Sequence, residues 1–247
     1  MNNPQPILVI NGVEERLQLV LGSRDGLIFS QQMASRRKAV QLLPLALEHC
    51  FQTAGLQAKH LGGVACVRGP GSFTGLRVVL AVALGLARGT GLPMAGLDFL
   101  PLLARSAASA RVGEGELWVL TYARKGLVYL QGFTAAGEPL TEPKAAKAEA
   151  AANALAMREG GLRLLGSGLR QDPGFWRSRL PEALLADPEW DHPREATLLQ
   201  VGLEADFSYE PFQPMYLRAS DAEDNLEAIA RERGIDLTKA QGSIPKH

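Results

Sequence analysis

The chain has 247 residues, 46% of them apolar and 21% charged, with Lys plus Arg and Asp plus Glu balanced at 26 each. This composition excludes wholesale disorder and a generally basic nucleic-acid surface, leaving only a local patch at Arg36, Arg37 and Lys38. The length allows one large domain or two small ones, and two lobes are the expectation.

In chain order, Ile7 to Ile10, Leu17 to Leu21 and Leu27 to Gln31 are short apolar or alternating segments separated by turn chemistry, which predicts a three-strand antiparallel meander. From Ser35 a helical pattern begins, with Val40, Leu43, Leu47 and Cys50 at spacings of three and four, a kink expected at Pro44 and an end near Gly55. Leu61 to Val67 reads as a buried strand, Thr74 to Arg88 as a helix, Pro93 to Leu97 as a strand and Phe99 to Ala110 as a helix. Three strands followed by alternating helices and strands is the order of the ribonuclease-H-like lobe of the actin and sugar-kinase superfamily, an analogy at the level of fold.

Near Arg111 to Gly115 the composition turns polar and glycine-bearing, and the lobe boundary is placed there. The N-terminal lobe is then 1–112, the C-terminal lobe 113–218, and 219–247 a charged tail. Glu116 to Tyr122 and Gly126 to Phe133 read as a hairpin, Lys144 to Met157 as an alanine-rich helix, Leu162 to Leu165 as a strand, and Arg194 to Phe207 as a helix. In the tail, Asp221 to Arg233 has the pattern of an amphipathic helix with Leu226, Ile229 and Ala230 on one face. No internal repeat is visible.

The two cysteines, Cys50 and Cys66, lack CxxC spacing and read as small core residues. No basic region followed by a long apolar run opens the chain, and the apolar stretch Val78 to Ala87 is far short of the ~20 residues that span a bilayer. A cytoplasmic protein without a membrane segment is expected.

One motif stands out. Gly69, Pro70, Gly71, Ser72, Phe73, Thr74 and Gly75 follow a strand and open a helix, a place where backbone N–H groups and the helix dipole receive anions. The run fits neither GxxxxGK[ST] nor GxGxxG and has no lysine to reach a phosphate, so a tight turn with a Ser or Thr cap competes with a phosphate cradle. The helix behind it, Val78 to Ala87, has no polar face and must be covered on every side. Either its own lobe buries it entirely, or the stripe carrying Ala81 and Gly85 receives a helix from a partner.

The string GPGSFTGLR followed by a small-residue helix resembles the signature of the TsaB (YeaZ) family. The resemblance continues in order through ILVI near the start, LLPL at Leu42 to Leu45, LPMAGLDFL, ARKGLVY at Ala123 to Tyr129 and PMYLR at Pro214 to Arg218, covering roughly residues 7 to 218. It implies a two-lobed α/β actin-like fold, mixed sheets with flanking helices, that has lost catalysis and binds the catalytic homologue TsaD, which transfers a threonylcarbamoyl group to adenosine 37 of tRNA. It further implies a TsaE-like ATPase as a third component, a homodimer when the chain is alone, and contact with tRNA only through the partner. The dimerisation surface of the family maps onto Gly75 through Gly89 and Arg36 through Thr53. That places Arg77, Ala81 and Gly85 on one interface helix and Lys38, Leu42 and Leu45 on the other.

The chain departs from the family at the end of the first strand, where an IDTST-like string is replaced by Ile10, Asn11, Gly12, Val13 and Glu14. In active members of the wider superfamily an acidic residue at that place helps hold metal and phosphate, and the neutral Asn11 cannot supply that charge. Lys38 and the run Tyr122, Ala123, Arg124 are further departures. His49, His60, His192 and His247 have no metal-ligand spacing, so no metal and no cofactor is expected. Ser72 and Ser167 have no base partner in the sequence and read as turn residues. Glu14, Glu15 and Asp25 form a carboxylate cluster only if the meander folds back on itself. A non-catalytic scaffold is the leading reading, with a nucleotide-binding enzyme of actin-like fold as the alternative.

Overall fold

The computed structural model describes residues 5–35 and 38–217. Strands β1 (Ile7–Asn11), β2 (Arg16–Ser23) and β3 (Gly26–Ala34) form the antiparallel meander. Then come α1 (Ala39–Ala54), β4 (Gly63–Gly69), α2 (Phe73–Thr90), β5 (Met94–Asp98) and α3 (Phe99–Ser109). β4 pairs parallel to β1 and β5 parallel to β4, giving the sheet order β3-β2-β1-β4-β5. The helix expected from Ser35 begins at Ala39 and carries Pro44 within it.

The remaining elements are β6 (Glu116–Arg124), β7 (Leu127–Phe133), β8 (Lys144–Lys147), α4 (Ala148–Ala156), β9 (Leu162–Leu165), α5 (Pro173–Arg179), β10 (Leu184–Leu185) and α6 (Glu195–Glu204). Their sheet reads β8-β7-β6-β9-β10, an antiparallel meander extended by parallel strands. The two halves therefore repeat one topology, although no sequence repeat announces it.

The expected helix Lys144–Met157 is corrected at its start. Lys144 to Lys147 pair antiparallel with Leu127 to Leu130, and the helix begins only at Ala148. An open edge of β7 has backbone donors and acceptors to satisfy, and this pairing outweighs the helix propensity of the alanines. The helix expected over Arg194 to Phe207 is confined to Glu195–Glu204. Helix α5 is too short for periodicity to reveal, but Pro173 sits in its first turn and the Asp172 carboxylate accepts the Phe175 N–H at 2.9 Å.

Alternation along the strands divides the core into layers. Leu8, Ile10, Leu17, Leu19, Val64 and Cys66 face α1 and α2, which supply Leu43, Cys50, Val79 and Ala83. Ile7, Val9, Val20, Ala65 and Val67 face the opposite way, toward α3, α6 and the inner residues Leu117, Val119 and Leu165 of the second sheet. Trp118, Leu120, Leu164 and Trp176 form a third cluster with α4. The result is five layers, helix, sheet, helix, sheet, helix. Cys50 and Cys66 are buried free thiols whose pKa values burial pushes up to about 11 and about 12.

Candidate functional site

The GPGSFTG turn is held by contact with the β1–β2 turn. The Val13 carbonyl accepts the Ser72 N–H at 3.0 Å, and the Ser72 hydroxyl caps α2 by accepting the Gly75 N–H at 3.3 Å. A Cβ at Gly71 would lie 2.7 Å from the Val13 carbonyl oxygen, and one at Gly75 would lie 2.6 Å from that of Gly12. These glycines are required by close approach of two backbones. Gly69 and Pro70 are buried; Thr74 is exposed, and the Arg77 guanidinium lies 3.8 Å from the centre of the Phe73 ring. The gap between first hairpin and motif, where the nucleotide reading needs a phosphate, is occupied by Val13.

Behind the turn, α2 buries Leu76, Val79, Ala83 and Ala87 against the sheet and leaves Arg77, Ala81, Leu84, Gly85 and Arg88 exposed. Leu84 is 37% exposed, and a Cβ at Gly85 or Gly89 would meet nothing within 4 Å. Among the described residues α2 is the one helix long and apolar enough to cross a membrane by length and composition; one side of it is core. Helix α1 packs beside α2 and exposes Val40 by 62% and Leu45 by 63%. Leu42 is half-buried against the core, and Lys38 stands exposed just before the helix. Arg36 and Arg37 lie outside the described residues. The apolar outer side of α2 is thus uncovered by its own lobe.

The end of β1 shows what Asn11 does. It is buried, its Nδ2 donates to Gln18 Oε1 at 2.8 Å, and its Oδ1 accepts the Val13 N–H at 3.2 Å. Gln18 in turn donates to the Pro193 carbonyl at 2.8 Å. A carboxylate could not donate to Gln18, so the amide has a structural task here.

Glu14, in the turn after β1, reaches the second half of the molecule. The Ser167 hydroxyl donates to Glu14 Oε1 at 2.6 Å and accepts the Tyr122 N–H at 2.9 Å. The residue as a whole is half-buried, but its carboxyl is enclosed. Burial pushes that carboxyl up to about 8, the hydrogen bond from Ser167 opposes the rise, and the charges of Asp191 and Glu15 add to it. Asp191 is itself buried and held by Arg170, whose Nε and Nη2 both donate at 2.9 Å. Burial lowers His192 to about 4, so it is neutral at physiological pH. The meander does not fold back to bring Glu14, Glu15 and Asp25 together, because Asp25 sits in the β2–β3 turn at the far end of β2. Sequence reasoning missed the Glu14–Ser167 contact, which joins residues 153 apart and has no local signal.

The chain returns to the motif at its described end. Ser208 bridges Met94, Phe212 covers Gly96, and the Met215 N–H donates to the Arg68 carbonyl at 2.7 Å. Tyr216 stacks on Phe73 at 5.0 Å between ring centres. Arg68 is fixed by Asp98 at 2.6 Å. Met215 and Tyr216 of the PMYLR string and the GPGSFTG turn, far apart in sequence, are thereby neighbours. The stretch Asp221 to Arg233 lies outside the described residues.

Two repeated lobes of β3-β2-β1-β4-β5 order, with their first hairpin and second-lobe turn joined through Glu14 and Ser167, define a two-lobed protein of actin-like fold. The sequence pattern of the TsaD family, tRNA N6-adenosine threonylcarbamoyltransferase, matches residues 28–165, more than half of the chain. The tRNA threonylcarbamoyladenosine biosynthesis protein TsaB of Escherichia coli (strain K12) is 32% identical over 124 residues, 50% of this chain and 52% of that protein. A tRNA N6-adenosine threonylcarbamoyltransferase of Cereibacter sphaeroides (strain KD131) is 37% identical over 84 residues, 34% of this chain and 22% of that protein. The solved structure of YeaZ from Pseudomonas aeruginosa superposes with a TM-score of 0.67 at 21% identity, covering 86% of this chain and all of that one, which shows a shared fold. The chain spans about half the length of the curated TsaB relatives it matches. It belongs to the TsaD family of proteins.

Proposed function

We propose that this chain is a non-catalytic subunit in the synthesis of threonylcarbamoyladenosine in tRNA, and that it binds a TsaD-like catalytic partner through the outer sides of α1 and α2. The observation that carries the proposal is the uncovered apolar side of α2, where Ala81, Leu84 and Gly85 are exposed on a helix whose other side is core. Small residues there allow another helix to approach closely, and an exposed apolar patch of this kind marks a protein contact. Names borne by the family and by its relatives supply the pathway. Lys38, Leu42 and Leu45 extend the surface along α1.

Absence of catalysis is supported by the use made of the cleft residues. Asn11 is spent on Gln18 and Val13, Glu14 on Ser167, and the Ser72 N–H on Val13. The alternative, a nucleotide-binding enzyme, has no observation in its favour. The proposal includes a homodimer of the free chain on the same surface, a TsaE-like ATPase joining the pair, indirect contact with tRNA, and a cytoplasmic address. It also takes the two lobes as divided near Arg111 to Gly115.

Size exclusion with light scattering, on the chain alone and mixed with the TsaD homologue of the same organism, tests this reading. A mixed complex that is lost with Ala81→Glu is expected. A chain that never associates with that homologue would overturn it.

A further inference from the structure

The connection between α3 and β6 forms a cavity of about 510 Å³, lined by Arg111, Gly113, Glu114, Gly115 and Ala135, with Arg163 beneath them. Arg163 is 2% exposed, and no carboxylate pairs with it among the described residues. Its terminal nitrogens donate to three carbonyls, those of Val112, of Gly115 at 2.9 Å and of Ala135 at 3.5 Å, while its Nε finds no acceptor. Carbonyl dipoles satisfy hydrogen bonds, but they do not neutralise a buried charge, which proteins ordinarily pair. Burial accordingly pulls the guanidinium below its ordinary pKa.

The loop above this charge has the backbone of an anion receptor. Arg111, Gly113 and Gly115 have φ of 53°, 71° and 88°, with Val112 and Glu114 between them on the negative side. Alternation of hand along a short stretch turns successive N–H groups toward one side, the concave arrangement that receives oxyanions. The N–H groups of Gly113, Glu114 and Gly115 have no acceptor within the described chain. The exposed Arg111 has no acidic partner among the described residues. Glu114 carries the one opposing charge of the lining, and it too is exposed.

We propose that this cavity, in the connection between α3 and β6, binds a small oxyanion, a phosphate or carboxylate group. Arg111 and the loop N–H groups make the contacts, and Arg163 supplies charge from below. The site is independent of the α1–α2 surface, so either proposal stands or fails without the other.

Thermal unfolding of the full chain across a series of inorganic phosphate concentrations, with ionic strength held by sodium chloride, measures an apparent Kd through mass action. Saturable stabilisation beyond the chloride control is expected. Arg111→Glu should weaken the apparent Kd by about tenfold or more, and Glu114→Gln should tighten it several-fold, because the two changes act on the anion with opposite sign. Both side chains are exposed, so neither variant endangers the fold. A parallel acetate series separates the ligand classes: saturation by acetate as well admits carboxylates, and saturation by phosphate alone restricts the site to phosphate groups. No saturable stabilisation, or equal Kd values for the wild type and Arg111→Glu, would overturn the proposal.

Discussion

Replacing Glu14 by Gln should become progressively more favourable to stability as pH climbs from 6 to 9. The carboxyl has an ordinary value of 4.5 and is pushed up to about 8 in the folded chain, first by burial and then by Asp191 and Glu15. Folded protein therefore holds this proton where unfolded protein has released it. The stability so contributed is complete below pH 4.5 and declines as pH climbs, until it is gone above about 8. Each pH unit inside that window is worth about 1.4 kcal/mol, so the interval from pH 6 to pH 8 amounts to at most about 3 kcal/mol. Relaxation of the site around the buried carboxylate reduces this to about 1–2 kcal/mol. Glutamine keeps the shape and a hydrogen bond to Ser167 but does not titrate. The Tm of Glu14→Gln minus that of the wild type should thus rise by several degrees from pH 6 to pH 9, at roughly 2–4 °C per kcal/mol for a chain of this size. Scanning calorimetry in matched buffers reads the difference directly. A difference that is flat with pH, or that falls, would refute the reasoning. Asp191→Asn should move the same transition to lower pH by removing a repelling charge.

Other outcomes follow from particular contacts. Gly71→Ala places a methyl group against Val13 and should cost about 1–3 kcal/mol in denaturant unfolding, as overpacking does. Asp191→Ala strips Arg170 of its carboxylate in a site where the acid is 9% exposed and should cost about 2–4 kcal/mol by the same assay. Ala81→Glu, on the exposed side of α2, should change the unfolding midpoint by no more than about 0.5 kcal/mol while it abolishes partner binding. That combination separates a surface residue used for contact from one that is merely structural.

The first lobe was legible because its elements are regular and their signals local. Leu8, Ile10, Leu17 and Leu19 alternate, and Gly55 and Gly91 close α1 and α2 in the left-handed conformation. The second lobe was less so. Lys144 to Lys147 are strand because β7 lies beside them, a fact of tertiary structure that alanine-rich sequence conceals. The motif GPGSFTG was visible, but the reason for its glycines was not, since Val13 and Gly12 press on it from another turn. Ser167 acquires a partner only when Glu14 crosses from the other lobe. Arg163 looks like an ordinary strand residue until its burial among carbonyls is seen. Local periodicity carries elements and their order, while pairing of charges across lobes is decided by topology.

The outer side of α2 is the proposed contact surface for a TsaD-like subunit. Calorimetric titration of the TsaD homologue from the same organism into this chain and into its Gly85→Glu variant tests it most directly. A glutamate there meets open space in the free chain, yet would place an unpaired charge inside a packed helix contact. Heat of binding is expected for the wild type and its loss, by at least about a hundredfold in Kd, for the variant. Equal affinity for both chains would contradict it.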